Sequence, residues 1–234
     1  MKLPPFFDRV PRLRVHDPLA EVLGSAEGGV FEYGYADVVM LAGHSCPTVA
    51  ATYWLTVRAM VALYPDRLPE RGGVRVDFRN DMRDGANGVV AAVVQQLTGA
   101  AGETGFKGLA GRFARNGLQR YVPALPLALR FTRLDNRWAV DAVADLTLLP
   151  EPPQLTRLLQ QCTQGKASPA ELAELGRLWQ QRVEHLLCDL AYDDGVFVVR
   201  PARRLWPSPP SAIASSFPLP LERTSHGRLA DTRF

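Results

Sequence analysis

His44 and Cys46 stand two residues apart in the segment Gly43-His44-Ser45-Cys46-Pro47, and an imidazole nitrogen beside a thiol sulfur suits zinc or another borderline divalent metal. Pro47 sharpens the placement. A residue before proline is driven out of helical geometry, while proline suits the first helical position, so Cys46 is expected at a helix N-cap. There the unpaired N–H groups and the helix dipole favour thiolate, the form that ligates a metal or attacks an electrophile. Two ligands do not close a coordination shell, and His16, Asp81, Asp84 or water are the candidates to complete it. The other reading of these residues makes His44 a loop cap and Cys46 a small buried thiol.

The remaining reactive side chains are less specific. Lys107 is the only lysine between residues 3 and 165 and lies among glycines, where it could face an anion or a carbonyl, or stand as a solvated loop cation. His185 and Cys188 share a helix, where a satisfied histidine and a buried thiol are expected rather than a second metal site. Cys162 has no partner near it in sequence, and His226 falls in the C-terminal tail. There is no phosphate-binding loop, no dinucleotide fingerprint and no Gly-x-Ser-x-Gly elbow.

Helices and strands must hold these residues. Asp17-Pro18 caps a short helix that stops at Gly24, and residues 47–63 form an apolar helix with one charge, Arg58, which should be buried on most sides. Residues 30–35 and 36–42 are too short for periodicity to separate helix from strand. Residues 74–78 alternate as a strand does, residues 87–97 read as a second apolar helix, and 127–132 and 137–143 read as a hairpin. Six glycines in 99–117 permit either close approach to a ligand or ordinary tight turns. A helix is expected near 154–162. Ser168-Pro169-Ala170-Glu171 is a capping box opening the longest helix, to about Leu190, whose leucine stripe is expected to dock on the sheet. A last strand spans 196–200. Without a regular βαβ rhythm the fold class is α+β, a mixed sheet packed against helices. The expected organisation is an irregular arm over 1–15, one domain over 16–203, and a flexible proline- and serine-rich tail over 204–234.

Charge and composition narrow the partners. The chain has 234 residues, 47% of them hydrophobic, enough for one substantial core. The net charge of +3 resides in residues 201–234, leaving 1–200 balanced at 22 against 22, so nucleic acid is not an expected partner. Three cysteines at unrelated spacings indicate no disulfide framework, and no apolar run reads as a signal peptide or a membrane span. A cytoplasmic protein is expected, with a small-molecule substrate and either a second copy of the chain in a homodimer or another protein as partner.

Gly43-His44-Ser45-Cys46-Pro47 leading into an apolar helix resembles the signature of the FmdE family, which takes its name from a component of formylmethanofuran dehydrogenase. Val93-Val94-Gln95-Gln96-Leu97-Thr98-Gly99 is similar to the family's second helix, and Gly105-Phe106-Lys107-Gly108-Leu109 to its glycine-rich segment with a lysine. The likeness spans roughly residues 16–145. It implies an α+β domain with a divalent metal, zinc first, at His44 and Cys46; the motif, the thin ligand set and the glycine-rich segment together lead to the expectation of a metal-dependent enzyme in which Cys46 and Lys107 serve catalysis. The alternative is a non-catalytic accessory component or metal carrier for a redox system, including molybdenum or tungsten enzymes. The chain departs from the family pattern at Ala42, where a second histidine is frequent. It also lacks the cysteines that flank the second helix, and any Cys-x-x-Cys ribbon. Its site is accordingly open, metal-poor or completed by oxygen ligands.

Overall fold

The computed structural model describes residues 2–202. Strands β1 (Leu13–His16) and β2 (Val30–Tyr33) form a small antiparallel ladder. A second sheet is built from β3 (Val74–Phe78), β4 (Gln119–Tyr121), β5 (Leu129–Arg133), β6 (Ala139–Ala144) and β7 (Phe197–Pro201), in the order β4-β3-β5-β6-β7. β3 and β4 are parallel and every other neighbouring pair is antiparallel. With six helices this is the mixed-sheet α+β fold expected from the sequence.

The two-residue period sorts the large sheet into faces. Val76, Phe131 and Val140 lie opposite one another and are buried in the core. One residue along, Arg120, Asp77, Arg130, Asp141 and Arg200 form a row of alternating charge across all five strands. Opposite charges directly across a sheet support the register. The middle pair is buried and bidentate, with Arg130 Nε and Nη2 donating to Asp141 at 2.6 and 3.0 Å.

Helices α1 (Pro18–Val22), α2 (Tyr35–Ala42), α3 (Pro47–Leu63), α4 (Asn87–Thr98), α5 (Leu155–Thr163) and α6 (Pro169–Glu184) complete the fold. In α3, 12 of 17 residues are buried, because the helix is covered by β5, β6 and β7, by α2 and by α4. That meets the expectation for a helix with one charge. No helix among the described residues is long and apolar enough to cross a membrane.

The structure corrects two expectations. The segment 1–15, read as an irregular arm, belongs to the domain: Pro5–Arg9 forms a 3-10 turn, β1 follows, and Phe6, Phe7, Val10 and Leu13 are buried. Its prolines and arginines mask these core anchors and Val15, which is buried as well. The long helix packs chiefly on other helices, and of the buried residues in its stripe only Val183, Leu186 and Leu187 join the core that includes the sheet. Leu178 on α6 joins Leu155 and Leu158 on α5 in a satellite core, and α6 otherwise meets α3. It also ends as an α-helix at Glu184 and continues as a π-helical turn, His185–Asp189. The stripe reports that a face is buried but not what buries it. The tail expected over 204–234 lies outside the described residues.

Asp17 joins the N-terminal elements to the rest. It caps α1 by accepting from Leu19 N at 3.0 Å and Ala20 N at 3.2 Å. It also accepts from Arg71 Nη1 at 2.9 Å and Arg115 Nη2 at 2.7 Å. Gly72, at φ 82°, leaves the space a Cβ would take to the Arg115 guanidinium.

Candidate functional site

The turn between α2 and α3 carries the pair. α2 ends where Gly43 enters the left-handed region at φ 74° and its N–H donates to Val39 O at 2.9 Å. Cys46 is the N-cap of α3, with extended backbone at φ −147° and ψ 166°, and its Sγ accepts from Val49 N at 3.4 Å. Pro47 opens the helix as the sequence predicts.

Ser45, between the two candidate ligands, is fixed from three sides. Its carbonyl accepts from Trp179 Nε1 at 3.0 Å and from Gln180 Nε2 at 3.2 Å, both on α6. Its hydroxyl donates to Gln180 Oε1 at 2.9 Å, so the 2.9 Å contact with Tyr35 makes the phenol the donor. Burial pushes the Tyr35 phenol far above its usual pKa, which keeps that proton in place. Trp179 and Gln180 were not legible as site residues. Trp179 reads as one member of the α6 apolar stripe, and nothing in the sequence ties it to Ser45.

His44 is exposed and Cys46 half-buried. The His44 ring bonds Ala42 O through Nδ1 at 2.9 Å. A carbonyl only accepts, so Nδ1 carries a proton and Nε2 is the ring nitrogen left for a metal, the arrangement of an oriented metal ligand.

Two of the three side-chain candidates for completing the shell, His16 and Asp81, are engaged elsewhere. His16 pairs with Glu21 at 2.9 Å. Asp81 pairs with Arg83 and accepts its backbone N–H at 3.0 Å, and Asp84 N closes a turn onto Asp81 O. Among the described residues no group of three His, Cys, Asp or Glu side chains could hold a metal ion. All three cysteines are free. His185 pairs with Asp189 at 2.8 Å, and burial raises the pKa of the Cys188 thiol.

Lys107 is exposed, and no hydrogen bond or ion pair among the described residues links it to His44 or Cys46. The glycines around it serve the loop's own closure. Phe106 O accepts from Arg115 N at 2.7 Å and Asn116 N at 3.2 Å, and a Cβ on Gly105 would collide with Ala101.

No family model and no curated protein matches the chain. The site therefore stands on its geometry.

A cleft of about 150 Å³ runs along the first turns of α3, lined by Thr48, Ala51 and Thr52 together with Phe78, Asn80 and Asn87. Sequence reasoning missed it. The available signal was the row of threonines one turn apart in α3, Thr48, Thr52 and Thr56, of which the first two line the cleft.

Proposed function

We propose that the Gly43–Pro47 turn binds a divalent transition metal, zinc first, through His44 Nε2 and Cys46 Sγ, and that the protein is a metal-dependent enzyme acting on a small molecule. The observation that carries this reading is the His44 Nδ1–Ala42 O bond, which leaves Nε2 as the free donor two residues from a helix-capping thiol. The resemblance of the motif to the FmdE family supports it.

One imidazole and one thiolate are suitable zinc donors but half of a tetrahedral set, so water and substrate oxygen complete the shell. When bound, the metal supplies Lewis acidity and acidifies a coordinated water. The chain's own residues hold the donors. Ala42 O keeps His44 in one tautomer, the Val49 N–H bonds the Cys46 sulfur at the mouth of α3, and Trp179 and Gln180 fix the peptide between them. Lys107 has the role of an exposed cation available to an anionic substrate group.

Equilibrium dialysis against zinc followed by elemental analysis tests the metal. About one zinc per chain is expected, with affinity reduced about tenfold or more in His44→Ala and in Cys46→Ser. Zinc content unchanged in both variants defeats the proposal. A second reading, a metal carrier or non-catalytic accessory component, is favoured by Met40 and Leu41, which are 56% and 49% exposed on the last turn of α2 beside the pair. A carrier releases its metal rapidly to a competing chelator and turns over no substrate. An enzyme site retains its metal through turnover.

A further inference from the structure

The cleft on α3 has a composition of its own. Its floor is buried and apolar, formed by Ala51, Leu55, Phe78 and Leu129. Its rim is polar or half-open, with Asn80 exposed and Thr48, Asn87 and Ala144 partly exposed. No Asp, Glu, Lys, Arg or His lines it.

We propose that this cleft is a binding site for a small neutral molecule, an apolar ring or short branched chain carrying one hydroxyl or amide group. Three properties of the lining select that class. The first is size. About 150 Å³ is the volume of a cavity that takes a single benzene-sized ring. The void exists because three alanines, Ala51, Ala128 and Ala144, converge from α3, the approach to β5, and β6. Larger residues at those positions would have closed it.

The second property is unused polarity at the rim alone. Asn87 donates Nδ2 to Asp81 O at 3.1 Å, which leaves its Oδ1 as an acceptor. The Asn80 amide and the Thr48 hydroxyl make no side-chain hydrogen bond among the described residues. Thr52, deeper in the cleft, has its proton already committed, its hydroxyl donating to Thr48 O at 2.8 Å. A ligand with its apolar end inward therefore meets free hydrogen-bond donors only at its outer end. The third property is the missing charge. A carboxylate or ammonium drawn between Phe78, Leu55 and Leu129 would lose its hydration with no counter-ion to replace it, which a neutral group avoids.

The cleft shares α3 with the metal pair but the inference does not rest on the metal reading, and the test is run on chelator-treated protein so that the two fail separately. Ligand-observed saturation-transfer NMR compares benzamide with benzoate, which has the same ring and a charge in place of the amide. Benzamide is expected to bind the full chain and to shift the Asn80 and Asn87 side-chain amide resonances, with benzoate at least about tenfold weaker. Ala144→Leu, at a half-exposed position where the added carbons can enter the cleft, is expected to weaken benzamide about tenfold or more. Ala51→Val narrows the floor from another element, and the circular dichroism of each variant verifies folding. Equal binding of benzamide and benzoate overturns the proposal. So does absence of benzamide binding, or binding unchanged in both folded variants.

Discussion

Around Asp17 every strong donor and acceptor meets a partner, whereas at the Gly43–Cys46 turn the exposed His44 ring and the half-buried Cys46 thiol keep capacity unused. Asp17 is 3% exposed and Arg115 7%, and the carboxylate takes two guanidinium groups and two backbone N–H groups. At the turn, Ser45 between the candidate ligands is held by three side chains, yet among the described residues His44 Nε2 and Cys46 Sγ close no further bond beyond the Val49 N–H. The first region uses polar chemistry to lock elements together. The second uses structure to hold donors ready. Polar residues whose capacity is exhausted inside the fold are architecture, and those fixed in place with capacity remaining are candidates for function.

Breaking the Asp17 cluster should have the largest effect. Asp17→Asn leaves two buried or half-buried guanidinium groups without their counter-charge and is expected to cost about 3–5 kcal/mol in urea denaturation. A loss below about 1 kcal/mol would place the cluster among ordinary surface pairs. Acid sensitivity follows the same residue. Burial pushes the Asp17 carboxyl up, but the Arg71 hydrogen bond, the Arg115 charge and the Ala20 N–H outweigh it and hold it below the usual value. A depressed carboxylate stabilises the fold fully above its unfolded pKa of about 3.9 and loses that contribution as pH falls through the folded value. The acid limb of wild-type stability should therefore be steeper than that of Asp17→Asn.

The clamp on the turn should give an intermediate effect. Trp179→Phe and Gln180→Ala each remove hydrogen bonds to Ser45 and should cost about 1 kcal/mol. Amide exchange at residues 44–46 should accelerate in both. Unchanged exchange would mean that the turn holds its shape without α6.

The smallest effects on stability are expected at the donors themselves. Serine is a favoured N-cap, so Cys46→Ser should stay within about 0.5 kcal/mol of wild type, and exposed His44→Ala likewise. Lys107→Ala should change neither stability nor metal content, and a fall in substrate turnover alone would mark its side chain as a substrate contact.

What the sequence made legible follows from the range of each signal. Asp17, Cys46 and Ser168 each cap a helix within three residues of themselves, so α1, α3 and α6 begin where local chemistry places them. β4 is different. Gln-Arg-Tyr has no strand pattern, and its extended form is set by β3, more than 40 residues earlier. The same distance effect hid the partner of α6 and the Trp179–Ser45 bond, which joins residues 134 apart. The glycine-rich segment showed freedom of backbone without its purpose, since the contacts that need Gly105 arise only after the loop has closed on Arg115 and Asn116. For the candidate site, the adjacency of His44 and Cys46 to the start of α3 was readable. The orientation of the His44 ring by Ala42 O and the cleft beside Thr48 were not, because both depend on how the chain turns.

The central claim is that two donors on one turn hold one metal, and cobalt(II) titration tests it most directly. Wild-type protein should bind about one cobalt per chain with a thiolate-to-cobalt charge-transfer absorption. Cys46→Ser should abolish that band at wild-type stability, and His44→Ala should weaken binding about tenfold or more. A charge-transfer band undiminished in Cys46→Ser, or no cobalt bound by the wild-type chain, would contradict the account.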